Sequence, residues 1–147
     1  MPSIRPTALC LFEYRGRLLL QEFRNFVTGE IFYRPFGGGL EFGERAASAI
    51  RREILEELGA EISTPELLTI MEDIHDMGEG TRHNIVFLFR AELLDENLLE
   101  APEFRVIDNH IEFRAVWQPI EALHQGALAL HPPELRMRLP EFFPESC

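Results

Sequence analysis

The stretch that decides the fold is GGLEFGERAASAIRREILEELGA, which runs from Gly38 to Ala60. A glycine-rich segment leads into a run of helix-favouring residues, and Gly59 is well placed to end a helix in the left-handed conformation. At about 100° per residue, one side of this helix is apolar. The stripe consists of Ala46, Ile50, Ile54 and Leu58. The segment therefore predicts an amphipathic helix that follows a glycine turn and packs on the core.

Three glutamates of this helix, Glu53, Glu56 and Glu57, share a face because side chains three and four positions apart are neighbours. A solvated acidic face is the ordinary interpretation of such a run. However, Glu57 falls inside the apolar stripe and Glu53 lies at its edge, where carboxylates are costly unless a positive group lies among them. Mg²⁺ prefers a few carboxylates, several waters and phosphate oxygens. The pattern therefore favours a Mg²⁺ site, with Mn²⁺ as an alternative ion.

The residues before and beside the glutamates have predicted supporting roles. The glycines at 37–39 allow close backbone approach, so a carbonyl such as that of Gly38 could point at the same cation. Gly43 is the predicted N-cap, which places Glu44 at the positive end of the helix dipole. Glu44 and Arg52 lie about two turns apart, and we expect them to brace the loop against the helix.

The spacing of this segment is that of a complete Nudix box, so the chain resembles the Nudix hydrolase family. The positions that carry the resemblance are Gly38, Glu44, Arg52, Glu53, Ile54, Glu56, Glu57, Gly59 and Ala60. The resemblance implies that Glu53, Glu56 and Glu57 bind metal and help to activate water, and that Arg52 orients a glutamate. It also implies an α/β fold of the Nudix type, an α/β/α sandwich with a mixed sheet.

The activity that the resemblance implies is Mg²⁺-dependent hydrolysis of the pyrophosphate bond in a nucleoside diphosphate linked to another group. Nucleoside triphosphates, nucleotide sugars and dinucleotides all remain open as substrates. The alternative is a Nudix-like binding or regulatory module that recognises a nucleotide without cleaving it. Because every position of the box holds a chemically competent residue, we expect an enzyme. An acidic interaction domain without a ligand would need the glutamates to be solvated.

The general base and the substrate contacts are predicted less directly. Either a box glutamate or a later acid could accept the proton; Glu112 leads the later candidates, followed by Glu103 and Asp108. Guanidinium groups suit phosphate geometry, so Arg34 and Arg24 are candidates for outlying phosphates, although each could instead pair with a surface acid. Phe36 and Tyr33 could stack on a base or pack in the core. Among the histidines, His83 is the candidate for approaching the pocket.

Length and composition bound the rest. The chain has 147 residues, 46% of them hydrophobic, which suits one domain over 1–147. A net charge of −11 argues against nucleic acid polymers and anionic membranes as partners. The sequence shows no apolar stretch of about 18 residues and no signal segment, so we expect neither a membrane span nor export. Two cysteines, Cys10 and Cys147, form no disulfide framework, so we expect the reducing cytoplasm.

Hydrophobic patterning predicts the elements around the box. Two hairpins are expected, one from strands at 4–12 and 17–23 and the other from strands at 67–75 and 84–93. Further strands are predicted at 31–34 and 111–117, with an exposed loop over 95–108 between them in sequence. Pro119 suits a first helical position, and Pro132 and Pro133 open a last helix near 134–139. A homodimer is expected from the habit of the family, and only the apolar tail with Phe142 and Phe143 hints at such a contact.

Overall fold

A computed structural model describes residues 2–76, 78, 80–108 and 110–144 of the chain. Parts of the predicted turn at 77–80 and Cys147 lie outside these residues. The strands are β1 (Ile4–Tyr14), β2 (Arg17–Arg24), β3 (Ile31–Arg34), β4 (Phe36–Gly39), β5 (Glu66–Asp76), β6 (Thr81–Ala91), β7 (Glu103–Asp108) and β8 (Ile111–Pro119). The helices are α1 (Ala46–Leu58), α2 (Glu96–Glu100), α3 (Ile120–His124) and α4 (Pro133–Phe142).

The strands form one mixed sheet in the order β5-β6-β1-β2-β8-β7, with β3 paired to β2 and β4 paired to β1. The central strand β1 runs parallel to β6 from Ile4 to Phe12 and antiparallel to β4 from Thr7 to Cys10. It meets β2 only beside their turn, through Glu13 and Tyr14. The first predicted hairpin is therefore confirmed only at its turn, because most of β1 pairs with other strands.

Helices cover both faces of this sheet. Successive side chains of a strand point to opposite faces, and in β1 both sets are buried. Ala8, Cys10 and Phe12 belong to the core beneath α1, whereas Leu9 and Leu11 belong to the core beneath α3 and α4. The α/β/α sandwich expected from the sequence is confirmed, since a strand buried on both faces needs a helical layer on each.

The central helix α1 has the predicted apolar stripe but begins later than predicted. Ile50 and Ile54 are completely buried. Gly59 has φ 64° and its N–H donates to the Leu55 carbonyl, which confirms the predicted end. The prediction of Gly43 as N-cap is wrong, because the N-cap is Arg45. Gly43, with φ 82°, instead belongs to a turn that precedes the helix.

Two further segments differ from the predictions. The loop expected over 95–108 contains α2, capped by the Asp95 side chain, and β7, which pairs with β8. Its acidic composition concealed an alternating strand in which Val106 is buried. The glycine turn before the box is itself a strand, β4. The second hairpin, β3, α3 and α4 lie where they were predicted, except that Pro119 is the N-cap of α3.

No helix in the described ranges is long and apolar enough to cross a membrane.

Replacement of a buried residue of α1 tests the role of its apolar stripe. We expect Ile50→Ala to lower the free energy of unfolding by about 2–5 kcal/mol, because it removes buried methyl groups and leaves a cavity. The matched control is Leu55→Ala on the same helix, whose side chain is 56% exposed; it should cost less than about 1 kcal/mol. Urea unfolding measures both, and equal losses would contradict the assigned orientation of α1.

Candidate active site

Arg52 is the centre of the polar network that joins α1 to β4. Its Nε and Nη2 atoms donate to the two carboxylate oxygens of Glu44 at 2.8 and 3.0 Å. Nη2 also donates to the Gly39 carbonyl at 3.2 Å, and Nη1 donates to Glu53 at 2.9 Å. A weaker contact joins Nη1 to Glu56 at 3.4 Å. The bracing predicted between Glu44 and Arg52 is thus present, and Arg52 also holds Glu53.

The network perturbs the titration of its members. Hydrogen bonds from Arg52, and then from the backbone N–H of Glu41, hold the pKa of Glu44 down to about 2. In turn, the hydrogen bond to Glu44 is the main reason that the pKa of Arg52 is raised. Glu44 precedes the N-cap Arg45 rather than following the cap as predicted, and at neutral pH it is the ionised partner of Arg52.

The Glu53 carboxylate lies directly against the backbone of β4. A Cβ atom built on Gly38 would lie 2.6 Å from both Cδ and Oε1 of Glu53, so a side chain there would displace the Glu53 carboxylate. A Cβ on Gly37, which has φ 147°, would collide with the Ala8 carbonyl oxygen of the adjacent strand β1. These two glycines bring a backbone segment and a partly buried carboxylate into contact, which is the close approach that the sequence predicted.

The other two box glutamates lie further along α1. Glu56 has a 58% exposed side chain, whereas Glu57 is half-buried and acts electrostatically on Arg34. Within the described ranges, no three acidic, imidazole or thiol groups converge closely enough to hold a metal ion. The residues nevertheless fit Mg²⁺, which takes few protein ligands and completes its shell with water and phosphate oxygens. Glu53 and the backbone of Gly38 could supply part of that shell.

A cleft of about 870 Å³ opens beside β4, within the size range of small-molecule sites. Gly38 and Gly39 form part of its wall, so the cleft reaches the segment against which Glu53 packs. The predicted residues Arg24, Arg34 and Glu112 all line it. Arg24 also donates to the Gly29 carbonyl, and Glu112 pairs with Arg105 at 3.2 Å.

The floor of the cleft is polar and spans three adjacent strands. Asp73 of β5, Asn84 of β6 and Arg5 of β1 occupy one cross-strand row. Asp73 is only 6% exposed, and its carboxylate lies 2.8 Å from Nδ1 of His75 and accepts a hydrogen bond from Asn84 at 3.2 Å. Because a buried carboxylate needs such partners, Asp73 fixes the orientation of two cleft-lining side chains.

The opposite wall is aromatic. Phe23 lies between Phe32 and Phe113, with ring centroids 5.5 and 5.6 Å apart and interplanar angles of 23° and 28°. All three rings line the cleft and are half-buried. Beside them, Glu22 and Arg114 form a bidentate ion pair, and its hydrogen bonds are the main reason that the pKa of Glu22 is lowered. We call Phe23, Phe32 and Phe113 the aromatic wall.

Several candidates from the sequence lie elsewhere. Phe36 is completely buried, so its prediction as a substrate contact is wrong and the packing interpretation holds. Tyr33 is 8% exposed and donates to Glu22 from within the core. His83 is not among the cleft-lining residues in the described part of the chain, because its neighbours on the strand take the cleft-facing positions. Glu103 pairs with Arg114, and the Asp108 side chain lies outside the description.

The polar floor was missed by the sequence interpretation, although a signal for it exists. On β5, Asp73 and His75 lie on the same face of the strand as the buried Met71. On β6, Asn84 lies on the same face as the buried Val86. Polar residues at strand positions that face the core indicate a cavity or a site, because burying them among apolar side chains is costly. The aromatic wall gave no comparable signal, because half-buried phenylalanines are ordinary in strands.

A glycine strand against a carboxylate-bearing helix, with a cleft of small-molecule size beside it, is the arrangement expected for the Nudix class. The comparison with protein families agrees: the model described as NUDIX domain matches residues 3–142. The chain therefore belongs to the Nudix hydrolase family, as the box predicted.

Solved structures of this fold resemble the chain over most of its length. A MutT NUDIX hydrolase from Burkholderia pseudomallei has 22% identity and a TM-score of 0.63, covering 92% of this chain and 97% of that one. A NUDIX hydrolase from Nitrosomonas europaea has 24% identity and a TM-score of 0.65, with coverages of 96% and 89%. The mutator MutT protein from Bacillus halodurans has 20% identity and a TM-score of 0.64, with coverages of 96% and 83%. At these identities the similarity shows the shared fold.

The lowered pKa of Glu44 predicts a particular dependence of stability on pH. Its pKa falls from an ordinary 4.5 to about 2 on folding, so the ionised carboxylate stabilises the fold above pH 4.5 and this contribution is lost as the pH falls towards 2. We expect Glu44→Gln to be less stable than wild type at pH 7, with a gap that closes over this window. Urea midpoints at each pH measure it. The exposed Glu61→Gln serves as control, and a constant gap would contradict the coupling.

Proposed function

We propose that this protein is a Mg²⁺-dependent pyrophosphohydrolase that acts on a nucleoside diphosphate linked to another group. The observation that carries the proposal is the contact between the Glu53 carboxylate and Gly38 at the edge of the cleft. It places an oriented carboxylate and a close backbone segment beside a volume that suits a nucleotide. Water attacks a phosphorus atom of the pyrophosphate unit, and the bond from that phosphorus to the bridging oxygen breaks.

The metal ligands in this proposal are Glu53, Glu56, Glu57 and the backbone of Gly38. When bound, Mg²⁺ supplies neutralisation of the phosphate oxygens and a lower pKa for water. Arg52 contributes by holding Glu53 in one rotamer through the hydrogen bond at 2.9 Å. Because Glu44 occupies the other side of the same guanidinium, Arg52 stays in place while Glu53 acts.

We assign the general base to Glu112. Unlike the three helical glutamates, Glu112 lines the cleft, and its 54% exposed side chain reaches the cleft from β8. A carboxylate there could accept the proton of the attacking water. The competing later acid, Glu103, is not among the cleft-lining residues in the described part of the chain. Arg24 and Arg34 are the proposed contacts to the substrate phosphates.

Metal-dependent turnover tests the proposed activity. We expect release of nucleotide or phosphate from a panel of nucleoside triphosphates, nucleotide sugars and dinucleotides only when Mg²⁺ is present. Glu57→Gln and Glu53→Gln should each lower kcat/KM by at least about a hundredfold, because each removes a charged oxygen ligand. Glu121→Gln on α3 is the matched control and should retain activity. Nucleotide binding by calorimetry without turnover of any substrate would support the binding-module alternative instead.

The assignment of the base has its own test. We expect Glu112→Gln to lower kcat about 10²-fold to 10⁴-fold and to abolish the acidic limb of the pH–rate profile, because the proton acceptor is lost. Glu103→Gln is the matched control, since Glu103 lies on the adjacent strand and carries the same charge. Loss of the acidic limb in Glu103→Gln, with a normal profile for Glu112→Gln, would overturn the assignment.

A further inference from the structure

Three arginines gather at one end of the cleft. Arg5, Arg34 and Arg82 all line it, and the charges of Arg5 and Arg82 both act unfavourably on Arg34. We call these three residues the arginine cluster. The chain as a whole carries a net charge of −11, so the cluster is a local reversal of the prevailing sign. Like charges in a cleft repel unless anions lie among them.

Arg34 is the least exposed member of the cluster. Its Nε atom is buried and has no hydrogen-bond acceptor among the described residues. Asp73 and Glu57 act favourably on it, but both oxygens of Asp73 are already engaged by His75 and Asn84. A desolvated guanidinium is costly without a charged partner. A phosphate group against the cleft side of the cluster would supply that partner, since guanidinium and phosphate are complementary.

The cluster lies next to the proposed site of reaction. The Arg5 guanidinium lies over Gly39, since a Cβ atom there would be 2.6 Å from its Nη2 atom. The preceding residue, Gly38, faces Glu53 in the same manner. The Glu53 carboxylate and the Arg5 guanidinium therefore face consecutive residues of β4. Two neighbouring phosphates of one ligand could thus lie near Glu53 and against Arg5.

The aromatic wall offers a different chemistry. Phe23, Phe32 and Phe113 form a continuous stack across three neighbouring strands, and the exposed side chains of Phe26 and Ile111 extend it along the cleft. Exposed aromatic surface inside a cleft is typical of a ligand site. A flat heterocycle suits it, because nucleobases stack on aromatic side chains with little regard to base identity.

We infer that the substrate is a nucleoside 5′-triphosphate, with its base on the aromatic wall and its terminal phosphates on the arginine cluster. This inference rests on the proposed function and narrows it. A nucleotide sugar would present neutral hydroxyl groups to three guanidinium groups, and a dinucleotide would place a second base there. A terminal phosphate, which carries more negative charge than a bridging one, matches the cluster best.

Calorimetric binding in EDTA tests the inference without turnover. The probes are a nucleoside, its monophosphate, its diphosphate, an imido-bridged triphosphate that resists hydrolysis, a nucleoside diphosphate sugar, and inorganic tripolyphosphate. We expect the binding affinity to rise with each added phosphate. The triphosphate should bind at least about tenfold more tightly than the nucleotide sugar, because only the triphosphate gives the guanidinium groups a charged terminal partner.

Variants separate the two ends of the cleft. Arg34→Gln and Arg5→Gln should each weaken binding of the triphosphate at least about tenfold, and binding of the nucleoside less than about twofold. Arg15→Gln removes the same charge at an exposed position paired with Glu100 and should change neither. Phe23→Leu should weaken nucleoside and triphosphate alike and leave tripolyphosphate unchanged. Circular dichroism establishes that each variant is folded, and exposed Arg5 keeps the test valid if Arg34→Gln unfolds.

The outcomes distinguish this inference from the proposed function. The inference would be overturned if the triphosphate and the nucleotide sugar bound with equal affinity. It would also be overturned if the arginine variants lost equal affinity for the nucleoside and for the triphosphate. If Mg²⁺-dependent turnover of nucleotide sugars accompanied that result, the proposed function would stand alone. The expected binding pattern, with no turnover of any pyrophosphate compound, would make the triphosphate a ligand of the cleft, refute the hydrolase and overturn the inference that the triphosphate is a substrate.

Discussion

The candidate site depends on how closely one short strand can approach its neighbours. β4 lies between β1 and α1, and its glycines carry no side chain that would hold these elements apart. At Gly37 the Ala8 carbonyl occupies the space of a Cβ atom, and at Gly38 the Glu53 carboxylate does. The backbone of β4 therefore lies within reach of both the helix and the cleft.

Ion pairs around α1 hold the side chains that lie beside β4. The chain is strongly acidic, yet each acidic group around α1 has a defined partner, and Arg52 is the hub that connects Glu44 before the helix to Glu53 within it. Carboxylates that must act on a substrate need to be held without being fully neutralised. Glu44 accepts two hydrogen bonds from the guanidinium, whereas Glu53 accepts one.

Much of the site could be predicted because its information is local. Residues of one helix have fixed relative positions, so the shared face of the glutamates, the buried positions of Ile50 and Ile54, and the left-handed end at Gly59 all follow from spacing. The start of α1 was misplaced because both Gly43 and Arg45 are compatible with a turn, and the choice depends on contacts outside the helix. The 95–108 segment was misjudged because its burial comes from distant partners.

The sequence by itself determined the class of fold, the family and the helical carboxylates, since these depend on periodicity and spacing within one continuous segment. Only the tertiary structure decided which other residues meet that segment. Arg5 and Asp73 are far apart in the chain but occupy one cross-strand row through Asn84, and Phe36 turned to the core while Phe113 reached the cleft. The register between strands controls such meetings, and a shift of one residue would reverse every side chain.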